Sequence, residues 1–237
     1  MSSMELENFD RALVVVAHPD DAEFSSAGTV VGWADRGVDV TYVICTDGAA
    51  GAADLTIPQP ELARIRQSEQ REAAEVLGVR DVVFLGQPDG QLRVTDQLRG
   101  ELVKIIRERR PDRIICQNAV RNYASLYGNH PDHLAAGQLA IEAVYPYARN
   151  PHAYPELLAS GLQPHSVREV WVVGTENPDH FVDVTSKVER KLAALARHRS
   201  QHTPGEDVSP RVLERMARLG EPHGIAYAEA FRRLTSG

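Results

Sequence analysis

Cysteine is scarce in this chain. Its 237 residues include two, Cys45 and Cys116, set far apart and each inside an apolar run. That pattern suits reduced core residues and argues against a disulfide framework or a cysteine-ligated zinc site. Long apolar runs are missing too, and without about 20 consecutive apolar residues a helix does not span a bilayer. There is no surplus of positive charge: the formal net charge is -7 at pH 7, which disfavours nucleic acid and anionic lipid as partners. The first residues carry Glu5, Glu7 and Asp10 ahead of any apolar run, the wrong charge and order for a secretory signal, so a cytoplasmic protein is expected. No internal repeat or low-complexity segment appears. What the chain does have is 43% hydrophobic residues, enough for a substantial core in one domain.

These apolar residues fall in short β-branched runs separated by helical patterns. Leu13 to Ala17 reads as a strand buried on both faces, followed by a helix over roughly Phe24 to Asp35 with Gly37 as its C-cap. Val38 to Cys45 is the next strand, closed by the turn Thr46-Asp47-Gly48. Glu61 to Leu77 carries an apolar helical face and stops at Gly78. Val82 to Leu85 predicts a third strand, Thr95 to Arg109 a helix, Arg113 to Cys116 a fourth strand, and a further helix starts near Pro131. Beyond Val144 the pattern loosens. Val170 to Val173 and Phe181 to Val184 read as strands, and Ser186 to Arg199 and Arg211 to Leu219 as helices. Such alternation predicts an α/β fold, a doubly wound, mostly parallel sheet with helices on both faces, in a single domain.

In sheets of this kind ligands gather beyond the carboxyl ends of the strands. His18-Pro19-Asp20-Asp21 follows the first strand directly, and His130-Pro131-Asp132-His133 lies in the polar loop after the fourth. Asp47 and Asp89 follow the second and third. Each motif alone would be an ordinary turn with a helix cap, since Asp favours N-caps and Pro the first helical turn; two of them on one rim point to a shared metal. His18 and Asp21 offer an imidazole nitrogen and a carboxylate oxygen on one turn. A second imidazole from 130–133 would complete three protein ligands and leave a fourth position for water, as in catalytic zinc. Spacing alone does not choose between His130 and His133. Mixed nitrogen and oxygen donors favour Zn2+, with Fe2+ or another divalent transition metal as alternatives. Asp20 is the candidate general base, and Asp132, between two histidines, is placed to orient or charge-stabilise one of them. The constellation suits hydrolysis of a carbonyl compound.

Ala17-His18-Pro19-Asp20-Asp21-Ala22-Glu23-Phe24 with Gly28-Thr29, and His130-Pro131-Asp132-His133 further on, resemble the two signatures of the LmbE-like, or PIG-L, N-deacetylases. Thr46-Asp47-Gly48, Arg66-Gln67-Ser68-Glu69 leading to Ala73-Ala74 and Leu77-Gly78, Asp89-Gly90, and His198-Arg199-Ser200-Gln201 resemble further family blocks in the same order. The resemblance covers about residues 11–201, read as the deacetylase domain, with 202–237 as a C-terminal extension packed on it. It implies a Rossmann-like fold and removal of an N-acetyl group from an N-acetylglucosamine-type sugar or related conjugate. It also implies His18, Asp21 and His133 as zinc ligands, and Asp20 as the base that activates water and then protonates the leaving amine. His130 would stabilise the oxyanion, with Asp132 tuning its protonation. Arg66 and Asp89 correspond to positions that hold sugar hydroxyls; without the resemblance they read as a solvated helix face and a Pro-Asp-Gly turn. Tyr127 stands three residues before His130, where some relatives place a tyrosine two before. The role of His198 is left open. For assembly the resemblance suggests a homo-oligomer, trimer or hexamer.

Two other classes compete. A nucleotide-binding Rossmann protein needs a Gly-rich turn after the first strand, whose amides approach a pyrophosphate; His18, Asp20 and Asp21 stand there instead, and carboxylates repel phosphate. A metal-binding protein without catalysis would need neither Asp20 nor His130. Within the enzyme class, an amide of another N-acyl or thiol-conjugate substrate is the alternative, and fold-level kinship does not decide it.

Overall fold

The computed structural model describes residues 9–52, 54–123, 126, 128–203 and 206–235. Along the chain, β1 (Arg11–Val16), α1 (Asp21–Ser25), α2 (Ala27–Ala34), β2 (Asp39–Thr46), α3 (Gln59–Leu77) and β3 (Asp81–Gln87) come first. They are followed by α4 (Asp96–Arg109), β4 (Arg113–Gln117), α5 (Pro131–Glu142), α6 (Pro155–Ala159), β5 (Glu169–Val173), β6 (His180–Asp183), α7 (Val188–Leu195), α8 (Ser209–Gly220) and β7 (Ala228–Thr235). The strands form one sheet in the order β3-β2-β1-β4-β5-β7-β6. The pairs from β3 through to β5 are parallel, and β7 is antiparallel to both β5 and β6. This is the expected Rossmann-like, doubly wound sheet. Its order reverses between β1 and β4, and the crevice outside the carboxyl ends at such a switch point is where these sheets take ligands.

Successive side chains of a strand face opposite ways, and β1 shows why its apolar run is unbroken. Ala12, Val14 and Val16 pack with Val30 and Val31 of α2, Ala73 and Leu77 of α3 and Ala194 of α7. Leu13, Val15 and Ala17 pack with Leu98, Leu102 and Ile106 of α4 and Leu139 and Ala140 of α5. Burying an aliphatic side chain of this size is worth about 1.5–3 kcal/mol. With a helical layer on each face, β1 is a rigid base for the motif that follows it.

The helix expected over Phe24 to Asp35 is two helices, broken at Ser26 (φ -140°, ψ 7°). The Gly28 and Thr29 amides that open α2 donate to the two oxygens of Glu229 at 2.9 and 2.8 Å, and Lys191 Nζ donates to the same carboxylate at 2.7 Å. A carboxylate from β7 thus satisfies amides that lack a partner within their own helix. The helix expected over Ser186 to Arg199 is regular only from Val188 to Leu195. Glu69 on α3 accepts from the Ser200 amide and hydroxyl at 2.9 and 2.7 Å and draws the chain off the helix axis. Strand β7 has no signal in the pattern, because Glu229, Arg232 and Arg233 interrupt its alternation; it places residues beyond 201 inside the sheet, between β5 and β6. Among the described residues no helix is long and apolar enough to cross a membrane.

Candidate metal centre and catalytic site

The end of β1 is pinned before the first motif begins. Ala17 donates its amide to Gln117 Oε1 at 2.9 Å, and its carbonyl accepts from the Thr46 amide and hydroxyl at 2.8 and 2.9 Å. His18 leaves this anchor buried, and the turn closes when its amide donates to Asp21 Oδ2 at 2.7 Å. Asp20, between them, sits at φ 99°, ψ -25°, a left-handed backbone that a non-glycine residue holds only where its surroundings impose it. The second motif opens α5, with His130 as N-cap and Pro131 in the first turn. A Cβ on Gly137 would stand 2.2 Å from the Gln117 carbonyl oxygen, so only glycine lets α5 press against the end of β4 and bring its N-terminus to the rim.

Three donors of the expected metal set meet there. His18 Nδ1 lies 3.2 Å from His133 Nε2. One Asp21 oxygen is 3.3 Å from His18 Nδ1 and the other 3.2 Å from His133 Nε2. Donors around a tetrahedral ion with bonds of about 2.0–2.1 Å stand about 3.3–3.4 Å apart, so these separations fit a zinc-sized cation. On the other edge of the imidazole, His18 Nε2 lies 3.2 Å from Asp132 Oδ2 and 3.1 Å from Asp89 Oδ1. A proton held on Nε2 by a carboxylate leaves Nδ1 free as a donor and fixes the ring's orientation.

Two other donor groups fall within 4.8 Å: His18, His130 and His133, and His18, Asp89 and Asp132. The second has little capacity left. Asp132, fully buried, already accepts from the Gly90 amide at 2.7 Å and the Leu92 amide at 3.1 Å. The first puts the three rings 4.8 to 5.1 Å apart, centroid to centroid, with His130 the most exposed of them. His130 Nδ1 accepts from the Asp132 amide at 3.2 Å, which leaves the ring's proton on Nε2 as a hydrogen-bond donor. The Asp132 carboxylate lies against His18, its backbone amide bonds to His130, and its charge acts on the His130 ring in the raising direction.

The charges of the site lean the same way. Burial lowers the His18 pKa, but Asp21 and Asp89 outweigh it and hold the ring's value up at about 10. Burial raises Asp21, yet its bonds to His133 and His18 leave it well below the usual carboxylate range. A carboxylate field that grips a proton this firmly is also suited to a cation, which competes with protons for its ligands. Asp20 goes the other way: burial, partly offset by Arg66 and reinforced by Asp21, pushes it to about 6. Desolvation, then the neighbouring His18 and His133, depress His130, so it is neutral near pH 7.

Arg66 is buried, so it is no solvated helix face, and its guanidinium is engaged by the protein. It donates to Gly48 O at 2.7 Å, to Pro19 O at 2.6 Å and to Asp20 Oδ2 at 3.2 Å. These bonds clamp the loop that carries Asp20. Asp89, beyond its turn, faces His18 and accepts from the Ala50 amide at 3.0 Å. Tyr127 lies outside the described residues. A cavity of about 610 Å³ opens beside Asp21 and His133 and is walled on its far side by Arg211, Arg215 and Met216 of α8.

The model of one protein family, described as PIG-L: GlcNAc-PI de-N-acetylase, matches residues 13–144. The chain belongs to the PIG-L family. Among PIG-L relatives, it is 36% identical over 226 residues to a diacetylchitobiose deacetylase of Thermococcus kodakarensis, covering 94% of this chain and 82% of the relative. It superposes with a TM-score of 0.89 on an N,N'-diacetylchitobiose deacetylase from Pyrococcus horikoshii, at 34% identity, over 96% of this chain and 85% of that one. A 4-carboxy-2-hydroxymuconate hydratase from Pseudomonas putida shares the fold alone, at 22% identity and a TM-score of 0.79, over 96% and 97% of the two chains. PIG-L membership accounts for both motifs, but sequence reasoning assigned no role to Glu23, Gln70 or His198, all buried beside Asp20. Glu23 passes for a first-turn acid and Gln70 for a helix-surface amide; nothing local marks either.

Proposed function

We propose that this protein is a zinc-dependent N-deacetylase acting on an N-acetylglucosamine-type sugar or its conjugate. The reading rests on the meeting of His18 Nδ1, Asp21 and His133 Nε2 at 3.2 to 3.3 Å on the rim where the sheet order reverses. The likeness of the whole chain to diacetylchitobiose deacetylases supports the substrate class. In this reading His18, Asp21 and His133 hold the ion. When bound, a divalent cation there supplies Lewis-acid polarisation of the acetyl carbonyl and acidifies water. Nitrogen and carboxylate donors favour zinc, and ferrous iron is the alternative.

The remaining steps fall to the chain's own groups. Asp20, with a pKa near 6, is ionised at neutral pH yet basic enough to take a proton from the attacking water. The water oxygen bonds to the acetyl carbon, and charge develops on the former carbonyl oxygen. His130 donates its Nε2 proton in a hydrogen bond to that oxyanion. Asp20 then returns its proton to the nitrogen as the carbon–nitrogen bond breaks, giving acetate and a free amine. Asp132 and Asp89 orient His18, and Arg66 orients Asp20. The cavity beside Asp21 and His133 takes the sugar.

The test is zinc-loaded protein offered N,N'-diacetylchitobiose, N-acetylglucosamine and N-acetylglucosamine conjugates, with free amine and acetate measured together. Equal release of both from at least one is expected. Release from none of them would remove the substrate assignment.

A further inference from the structure

We propose that His198, acting through Glu23 and Gln70, is a positioning residue for Asp20. The inference rests on the reading of Asp20 as the general base. His198 Nε2 lies 3.2 Å from Glu23 Oε2, Gln70 Nε2 donates to Glu23 Oε1 at 3.0 Å, and the Asp20 amide donates to Gln70 Oε1 at 2.9 Å. His198, Glu23 and Gln70 are each fully buried.

Each member of this chain of bonds has one workable orientation. The Glu23 carboxylate only accepts, so Gln70 must turn its NH2 toward Glu23 and its oxygen toward Asp20, and His198 must present an Nε2 proton. The last bond in the series falls on the amide of the one non-glycine residue that holds a left-handed backbone in the first motif (φ 99°). Arg66 grips the same turn from the carboxylate and carbonyl side. The Asp20 turn is therefore held from two directions, and His198 is the far anchor of one of them.

His198 comes from a segment outside the matched residues 13–144, and that segment is fastened to α3 and to the loop after β2. Ser200 is bound twice by Glu69, and Gln201 Nε2 donates to Gly51 O at 2.8 Å. These three bonds fix where the turn after α7 sits, and so where His198 points. Asp20, Glu23 and Gln70 are brought by two other elements, so the network ties three separated stretches of chain into the placement of one carboxylate.

The experiment measures kcat, KM and zinc content with N,N'-diacetylchitobiose for His198→Ala, His198→Gln and Gln70→Met, each in the native and the Asp20→Asn background. His198→Ala should lose about 10–100-fold in kcat, part of the about 10²–10⁴-fold that a placed base contributes, with KM and zinc content unchanged. His198→Gln puts an amide N–H where Nε2 stood and should recover most of the rate. In the Asp20→Asn background the His198→Ala loss should vanish, because the two act as a unit. Should His198→Ala fail to fold, Gln70→Met carries the same expectation. A wild-type kcat in His198→Ala, a glutamine variant as poor as the alanine one, or an undiminished loss in the Asp20→Asn background each overturns the proposal while leaving the base assignment in place. A wild-type kcat in Asp20→Asn itself takes down the base assignment, and this inference with it.

Discussion

Replacing Asp132 separates two accounts of the second motif. Its carboxylate is fully buried and accepts three bonds: the Gly90 amide at 2.7 Å and His18 Nε2 at 3.2 Å on one oxygen, the Leu92 amide at 3.1 Å on the other. Asp132→Ala orphans two backbone amides. A buried donor left without a partner costs about 1–3 kcal/mol; that cost falls in full on the buried Leu92 amide and only in small part on the exposed Gly90, so a loss of about 1–3 kcal/mol is expected. Asp132→Asn keeps one acceptor oxygen and turns an NH2 on one of the amides, and should cost about half as much. Both variants take one of the two carboxylates away from His18 Nε2 and leave Asp89 at 3.1 Å, and loss of such an outer partner weakens metal affinity by about 10–100-fold. Urea unfolding of the chelator-treated protein reads the first effect, and competition for zinc against a chromophoric chelator reads the second. If Asp132→Asn binds zinc like the wild type and loses kcat alone, the reasoning is refuted, and Asp132 serves His130 as the family resemblance implied.

Three further outcomes are expected. Glu229→Ala strips the α2 amides of their acceptor and leaves Lys191 charged and buried; unfolding in urea should register a loss of about 3–5 kcal/mol, partly recovered when Lys191→Met is added. Gly137→Ala drives a methyl into the Gln117 carbonyl oxygen, so α5 must shift; a loss of about 1–3 kcal/mol is expected, together with weaker zinc binding, and unchanged values of both would mean the rim tolerates the shift. Arg66→Met should lower kcat at constant KM, since the guanidinium clamps the Asp20 loop; a raised KM at constant kcat would instead give Arg66 to the sugar.

The half of the chain around β1 to β4 was legible because each of its elements carries its own signal: β-branched runs buried on both faces, helices ended by Gly78 or begun by Thr95, polar motifs placed immediately after strands. The placement of His18 and Asp21 at a strand's carboxyl end followed from that pattern; the strand order that puts them at a switch point did not. Features settled by distant partners were not legible. Glu229, Arg232 and Arg233 hide a strand, because a buried carboxylate is tolerable only with Lys191 and two helix amides around it, and they come from other parts of the chain. The early end of α7 depends on Glu69, which stands 131 residues from Ser200 in sequence. By pattern alone Arg66 read as a solvated helix face, because its acceptors, the Pro19 and Gly48 carbonyls, are backbone atoms that no side-chain pattern announces. Spacing left His130 and His133 equivalent; the structure separates them by what each ring meets, the Asp132 amide for one and Asp21 for the other.

In the proposed site the labour is divided: His18, Asp21 and His133 hold a metal, and Asp20 does the proton work. Metal content by mass spectrometry, measured alongside amine release on the same samples, tests this division most directly. One zinc per chain is expected in the wild type, near-complete loss of metal and rate in His18→Ala and Asp21→Ala, and full metal with almost no rate in Asp20→Asn. Full metal in Asp21→Ala, or wild-type turnover in Asp20→Asn, would contradict it.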